Sequence, residues 1–63
     1  MTDRKAWIGD EVYDEDAERT GIITDVRGGV YILRPVSGGG SEWTSNNSDR
    51  LTIKVPREKQ ALS

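Results

Sequence analysis

Apolar residues in this chain alternate with polar ones, or gather in short β-branched runs, and nothing in the interior repeats at helical spacing. The segment Trp7 to Tyr13 carries apolar groups at Ile8 and Val12 around Gly9-Asp10-Glu11, as a twisted first strand does. The acidic run Asp14 to Glu18 then reads as a loop. Thr20 to Val26 reads as a second strand, but Ile23 and Val26 stand three apart. A β-bulge near Thr24-Asp25 is needed to bring both to one face. Arg27-Gly28-Gly29 predicts a tight hairpin, because adjacent glycines supply the positive φ such turns require. Val30 to Arg34 follows as a β-branched and aromatic strand, ended by Pro35, which cannot donate to a ladder.

Ser37-Gly38-Gly39-Gly40-Ser41 predicts a flexible hairpin loop, and Glu42-Trp43-Thr44 a short fourth strand. Ser45 to Asp49 are all turn formers and suit one tight helical turn. Arg50 to Val55 alternates strictly, with Leu51, Ile53 and Val55 on one face, and Pro56 ends it. The expected core is Ile8, Val12, Ile23, Val26, Leu33, Leu51 and Ile53, with Tyr31 or Ile32 according to the register of the third strand. The expected domain spans residues 6–56, between a disordered N-terminus of residues 1–5 and a flexible tail of residues 57–63. Five short strands cannot bury one face as a flat sheet of this size, so closure on itself is expected. The fold class is therefore all-β: a five-stranded SH3-like small barrel with disordered termini.

Two resemblances refine that expectation. Gly9-Asp10-Glu11-Val12 followed by Gly21-Ile22-Ile23-Thr24-Asp25-Val26 resembles the KOW motif of SH3-like domains in ribosomal and transcription-elongation proteins. In that family the loop after the first strand touches RNA or a polymerase partner. Asp14, Glu15, Asp16 and Glu18 stand here where the family places Gly and Lys, and such a loop repels phosphate. A longer string resembles a group of short uncharacterised bacterial proteins. It runs from Gly9-Asp10-Glu11-Val12 through Gly21 and Leu33-Arg34-Pro35 to Gly38-Gly39-Gly40 and Glu42-Trp43. That resemblance implies a bacterial cytoplasmic protein and brings no activity with it.

Charge is distributed unevenly. Of 63 residues, 9 are Lys or Arg and 11 are Asp or Glu, for a net charge of −2. Six of the acids (Asp10, Glu11, Asp14, Glu15, Asp16 and Glu18) fall in one stretch that holds no base. The remainder is basic, with Arg27, Arg34, Arg50, Lys54, Arg57 and Lys59. Such a dipole steers association more than it sets a fold. The acids serve either as a solvated loop whose repulsion nearby arginines relieve, or as a docking site for a basic partner.

The composition narrows the chemistry. There is no Cys and no His, so disulfides, thiolate ligands and imidazole bases are excluded. Lys as a base needs burial that so small a domain hardly supplies. No run approaches the ~20 apolar residues of a membrane span, and no apolar stretch of signal-peptide type follows the N-terminus. The carboxylates of residues 14–18 lack the spacing of a calcium loop. Gly38-Gly39-Gly40-Ser41 lacks the Lys of a phosphate loop. The reading is a monomeric module that is not an enzyme, carries no cofactor or metal and binds another protein, away from membranes.

The aromatics admit two roles: Tyr31 and Trp43 cover the end of the barrel, or they line a groove. In the second case Tyr13, Trp43 and the Asn46-Asn47 turn form a shallow groove for an extended peptide. The expected contact residues are Tyr13, Asp14, Glu15, Asp16, Arg34, Trp43 and Asn46. The alternative is a nucleic-acid accessory protein, with Arg27, Arg34, Arg50 and Lys54 as a basic strip and a base stacked between Trp43 and Arg34.

Overall fold

Strand after strand pairs with its neighbour in the computed structural model, which describes residues 5–36 and 40–59. The elements are β1 (Glu11–Asp14), β2 (Arg19–Arg27), β3 (Val30–Pro35), β4 (Trp43–Ser45) and β5 (Leu51–Val55). Single 3₁₀ turns cover Ser48–Arg50, before β5, and Arg57–Lys59, after it. The five strands form one antiparallel sheet in the order β4-β3-β2-β1-β5. The expected disorder of residues 1–4, the centre of the glycine loop (37–39) and the end of the tail (60–63) lie outside the described residues.

The hairpins follow from local chemistry. Gly28 and Gly29 both have positive φ (55° and 86°), which a two-residue turn between twisted strands requires. The bulge falls where the spacing of Ile23 and Val26 demands it. The β2–β3 register passes from Ile23↔Leu33 to Asp25↔Ile32, and Thr24 is left over. Its Oγ1 donates to the Ile32 carbonyl. Beyond the bulge Val26 pairs with Tyr31 and packs against the core. That register buries Tyr31 rather than Ile32. Pro35 pairs with Gly21 at the end of β3, beyond the reach of β4, where its missing N–H costs no ladder bond.

The buried apolar residues are Ala6, Val12, Ile23, Tyr31, Leu33 and Leu51, with Val26, Trp43 and Ile53 packed against them. Two expectations need correction here. Ile8 is not core: it stands 39% exposed in the turn before β1, and Ala6 is buried instead. The first strand begins at Glu11 rather than Trp7, because Trp7 to Asp10 close a turn through the bond from the Asp10 N–H to the Trp7 carbonyl. A third concerns the C-terminal segment. Arg57 is tied down rather than frayed, its backbone N–H donating to the Asp10 carboxylate.

Closure is the fourth. The sheet ends on β4 and β5, and no ladder joins them among the described residues, so it is open and coiled rather than a closed barrel. β4 has three residues, and a 3₁₀ turn carries the chain away from it before β5 begins. A side chain spans the concave face instead. Trp43 reaches from β4 over Gly21 of β2 and donates its indole N–H to Asp14 at the end of β1. In a flat sheet β4 and β1 stand three spacings apart, about 14 Å, further than one indole spans. The bulge at Thr24 and the register shift of β5 opposite Glu11-Val12 provide the bend.

Candidate functional site

Asp14 organises one end of the molecule. As the last residue of β1 it alternates with Tyr13, so its side chain turns onto the face that carries Val12. It is 1% exposed, and each of its carboxylate oxygens is occupied. Oδ1 accepts the backbone N–H groups of Asp16 (2.9 Å) and Ala17 (3.3 Å). Oδ2 accepts Trp43 Nε1–H at 2.9 Å. The run after it is a four-residue turn closed by the Asp14↔Arg19 pair. Glu18 has φ 58°, and its N–H donates to the Asp14 carbonyl at 2.7 Å. This segment, expected as an irregular acidic loop, is a tight hairpin whose first acid lies inside the fold.

Two of the remaining acids of the turn, Glu15 and Asp16, share a cation. Arg50 places Nε 3.1 Å from Asp16 and Nη1 3.3 Å from Glu15, and the Glu15 N–H donates to the Arg50 carbonyl at 3.0 Å. Asp10, from the same acidic stretch, is 0% exposed. Its carboxylate accepts the N–H groups of Trp7 and Arg57, and the Arg57 guanidinium stands 3.7 Å away. The acidic stretch is thus divided: two acids are interior, and two on the turn are ion-paired to Arg50.

Around Asp14 a depression of about 470 Å³ is lined by Asp14, Asp16, Ala17, Val30, Thr44, Ser45 and Asn46. It unites three of the expected contact residues, Asp14, Asp16 and Asn46. Glu15 sits on the same turn beside Arg50. Tyr13 does not join them. It pairs with Thr20 and Thr52 on the face of β1 opposite Asp14, so the groove between Tyr13, Trp43 and Asn46 is not assembled. Trp43 is half-buried, with Arg19 4.0 Å above its ring. Arg19, rather than Arg34, therefore occupies the ring face expected to stack a base.

Arg34 lies elsewhere, on the convex face of β3, in a second depression of about 410 Å³ lined by Ile22, Arg34, Pro35, Val36 and Gly40. The basic strip does not assemble either. Arg27 bonds Asp25 at the β2–β3 hairpin, Arg50 holds the acidic turn, and Lys54 is on β5, beyond β2 and β1 from Arg34. The hydrogen bond from the Arg27 guanidinium, and after it the one from the Val26 N–H, lower the Asp25 pKa, and the Asp25 carboxylate raises that of Arg27. Among the described residues no group of three or more Asp or Glu is disposed to hold a metal ion.

Arg19 and Gly21 are the participants that sequence reasoning passed over. A Cβ on Gly21 would stand 2.5 Å from Trp43 Cη2 and 2.8 Å from the Arg34 carbonyl oxygen. Gly21 is visible in the sequence as part of a motif, but the ring above it belongs to a residue 22 positions on, and no local pattern announces that pairing. The fold and these surfaces define an all-β domain with an open, coiled five-stranded antiparallel sheet. Comparison with protein-family models, curated proteins and solved structures finds no match.

Proposed function

We propose that this domain is a non-enzymatic protein-binding module built on an SH3-like strand arrangement. The observation that carries the reading is the set of large apolar side chains left in water: Trp7 at 47%, Val36 at 44% and Ile8 at 39% exposure. Among the described residues the buried core has six hydrophobic members, one of them alanine, and is short of apolar area, yet the Trp7 indole stays outside it. Exposed aromatics are over-represented where proteins meet. The SH3-like description draws on the strand order, the hairpins on either side of β2 and the 3₁₀ turn before the last strand. With the resemblance to short bacterial proteins, the reading extends to a cytoplasmic module.

The nucleic-acid alternative has less to draw on, since the Trp43 ring lies under Arg19 and the basic strip is scattered, with Arg27 and Arg50 engaged by acids. The test is affinity capture from nuclease-treated native lysate with wild type and with Trp7→Ser/Ile8→Ser/Val36→Ser. A partner held by wild type and lost by the variant is expected, with both proteins equally folded by circular dichroism. Identical capture by both, or binding of single-stranded DNA tighter than about 10 μM that weakens steeply with salt, overturns the reading.

A further inference from the structure

We infer that the depression between β2, the end of β3 and Gly40 is the module's recognition site, and that it takes an extended segment carrying a carboxylate beside apolar side chains. The inference rests on the protein-binding reading and adds the chemistry of the partner. Its starting point is an imbalance among the arginines. Arg19 lies on the Trp43 ring, Arg27 on Asp25, Arg50 on Glu15 and Asp16, and Arg57 on Asp10. Arg34 has no such acceptor among the described residues, and its side chain is exposed. A guanidinium presents a planar fork of donors matched to a carboxylate.

The surroundings choose among anions. The walls beside Arg34 are Ile22, Pro35 and Val36, and Val36 is among the most exposed apolar residues described. Hydrocarbon there favours a ligand with apolar side chains next to its charge over a phosphate chain. Behind the opposite wall stands a second guanidinium: Arg19 Nη2 is 3.6 Å from where a Cβ on Gly40 would be. Its charge adds to the positive potential of the depression while its face rests on Trp43. One row further across the convex face, Ile22 pairs with Glu11, whose carboxylate limits the positive patch to a single anionic group and disfavours a polyanion. Gly40, at φ 88°, contributes no side chain to the lining.

The test uses the full chain, ¹⁵N-labelled, titrated with three capped peptides: acetyl-Val-Val-Glu-Val-Val-amide and its glutamine and lysine counterparts. The glutamate peptide is expected to shift the amides of Ile22, Arg34, Val36 and Gly40. Its affinity is expected to fall about three- to fivefold in Arg34→Gln, the loss typical of one exposed charge pair, and to fall further as salt is raised. Arg34→Gln is expected to keep the thermal midpoint, because the side chain is exposed. Equal binding of the glutamate and glutamine peptides, shifts centred on residues 15–18 with the lysine peptide, or no shift at all overturns the inference. Competition by oligothymidylate at the same amides also overturns it, in favour of a polyanion site. If the partner captured through Trp7, Ile8 and Val36 binds Arg34→Gln as tightly as wild type, this site is wrong and the module reading stands. If capture fails while the glutamate peptide still binds, the reverse holds.

Discussion

Asp10 and Asp14 bracket the same four-residue strand, are both removed from water, and do different work. Asp10 is buried beside the segments that flank the sheet. It gathers the N–H of Trp7 and the N–H and guanidinium of Arg57, so it ties together segments 47 residues apart in sequence. Asp14 faces the concave side of the sheet. It gathers two amides of its own turn and the indole of Trp43, and so joins β1 to the far edge strand. Asp10 secures the segment before β1 to the segment after β5. Asp14 secures the curvature of the sheet itself. A buried carboxylate is tolerated in each place for the same reason: its oxygens accept strong donors, and losing the acceptor would strand those donors.

Removing Asp14 should therefore do the most damage. A domain of this length has about 3–9 kcal/mol of stability. Asp14→Ala strands the Trp43 indole N–H and opens the hairpin amides, a loss of about 3 kcal/mol or more. Urea denaturation should find the stability of the variant lowered by at least about that amount, a third or more of the total. Trp43→Phe keeps a ring and loses one donor, so about 1 kcal/mol is expected. A double-mutant cycle between the two positions should show coupling, and strict additivity would mean that the indole bond does not hold the sheet coiled.

Next comes Gly21→Ala, which tests the same curvature from below. Its Cβ would overlap both Trp43 and the Arg34 carbonyl, and overpacking of this kind costs about 1–3 kcal/mol. Combining it with Trp43→Leu should recover part of the loss, because the ring moves away while the carbonyl stays. Full recovery, or no loss in the single variant, would place the ring elsewhere.

Asp10→Asn should be milder and local, about 1–2 kcal/mol, since the amide can accept one of the two backbone N–H groups but not both. Hydrogen exchange is the discriminating measurement. Protection should fall at Trp7 and Arg57 while Val12, Ile23 and Leu33 keep theirs. A uniform loss along the sheet would erase the distinction between the two aspartates.

The smallest effect belongs to an acid outside the pair. Asp25 is half-exposed, and its folded pKa is depressed by Arg27. Its contribution is present above the unfolded value near 4 and is lost as pH falls through the folded value. Asp25→Asn should consequently narrow the gap in thermal midpoint between pH 7 and strongly acidic solution by a small amount, with unchanged behaviour at neutral pH as the pH is raised. A larger gap in the variant would reverse the assigned sign.

Much of this architecture is legible in local sequence. The bulge at Thr24 follows from apolar residues three apart, the Gly28-Gly29 hairpin from adjacent glycines, the helical turn before β5 from a run of turn formers, and β5 from strict alternation. Each is a short-range constraint, because steric limits on φ and the two-residue period of a strand act between neighbours. The burial of Asp14 was not legible, although alternation with Val12 offered a hint, because four carboxylates within five residues read as solvated. The exposure of Ile8, the side-chain bridge from Trp43 and the isolation of Arg34 were not legible either. Those depend on which strands become neighbours and how far the sheet coils. Whether a carboxylate is buried depends also on donors that arrive from far along the chain, and only the folded chain brings Trp43 to Asp14 and leaves Arg34 without an acid among the described residues.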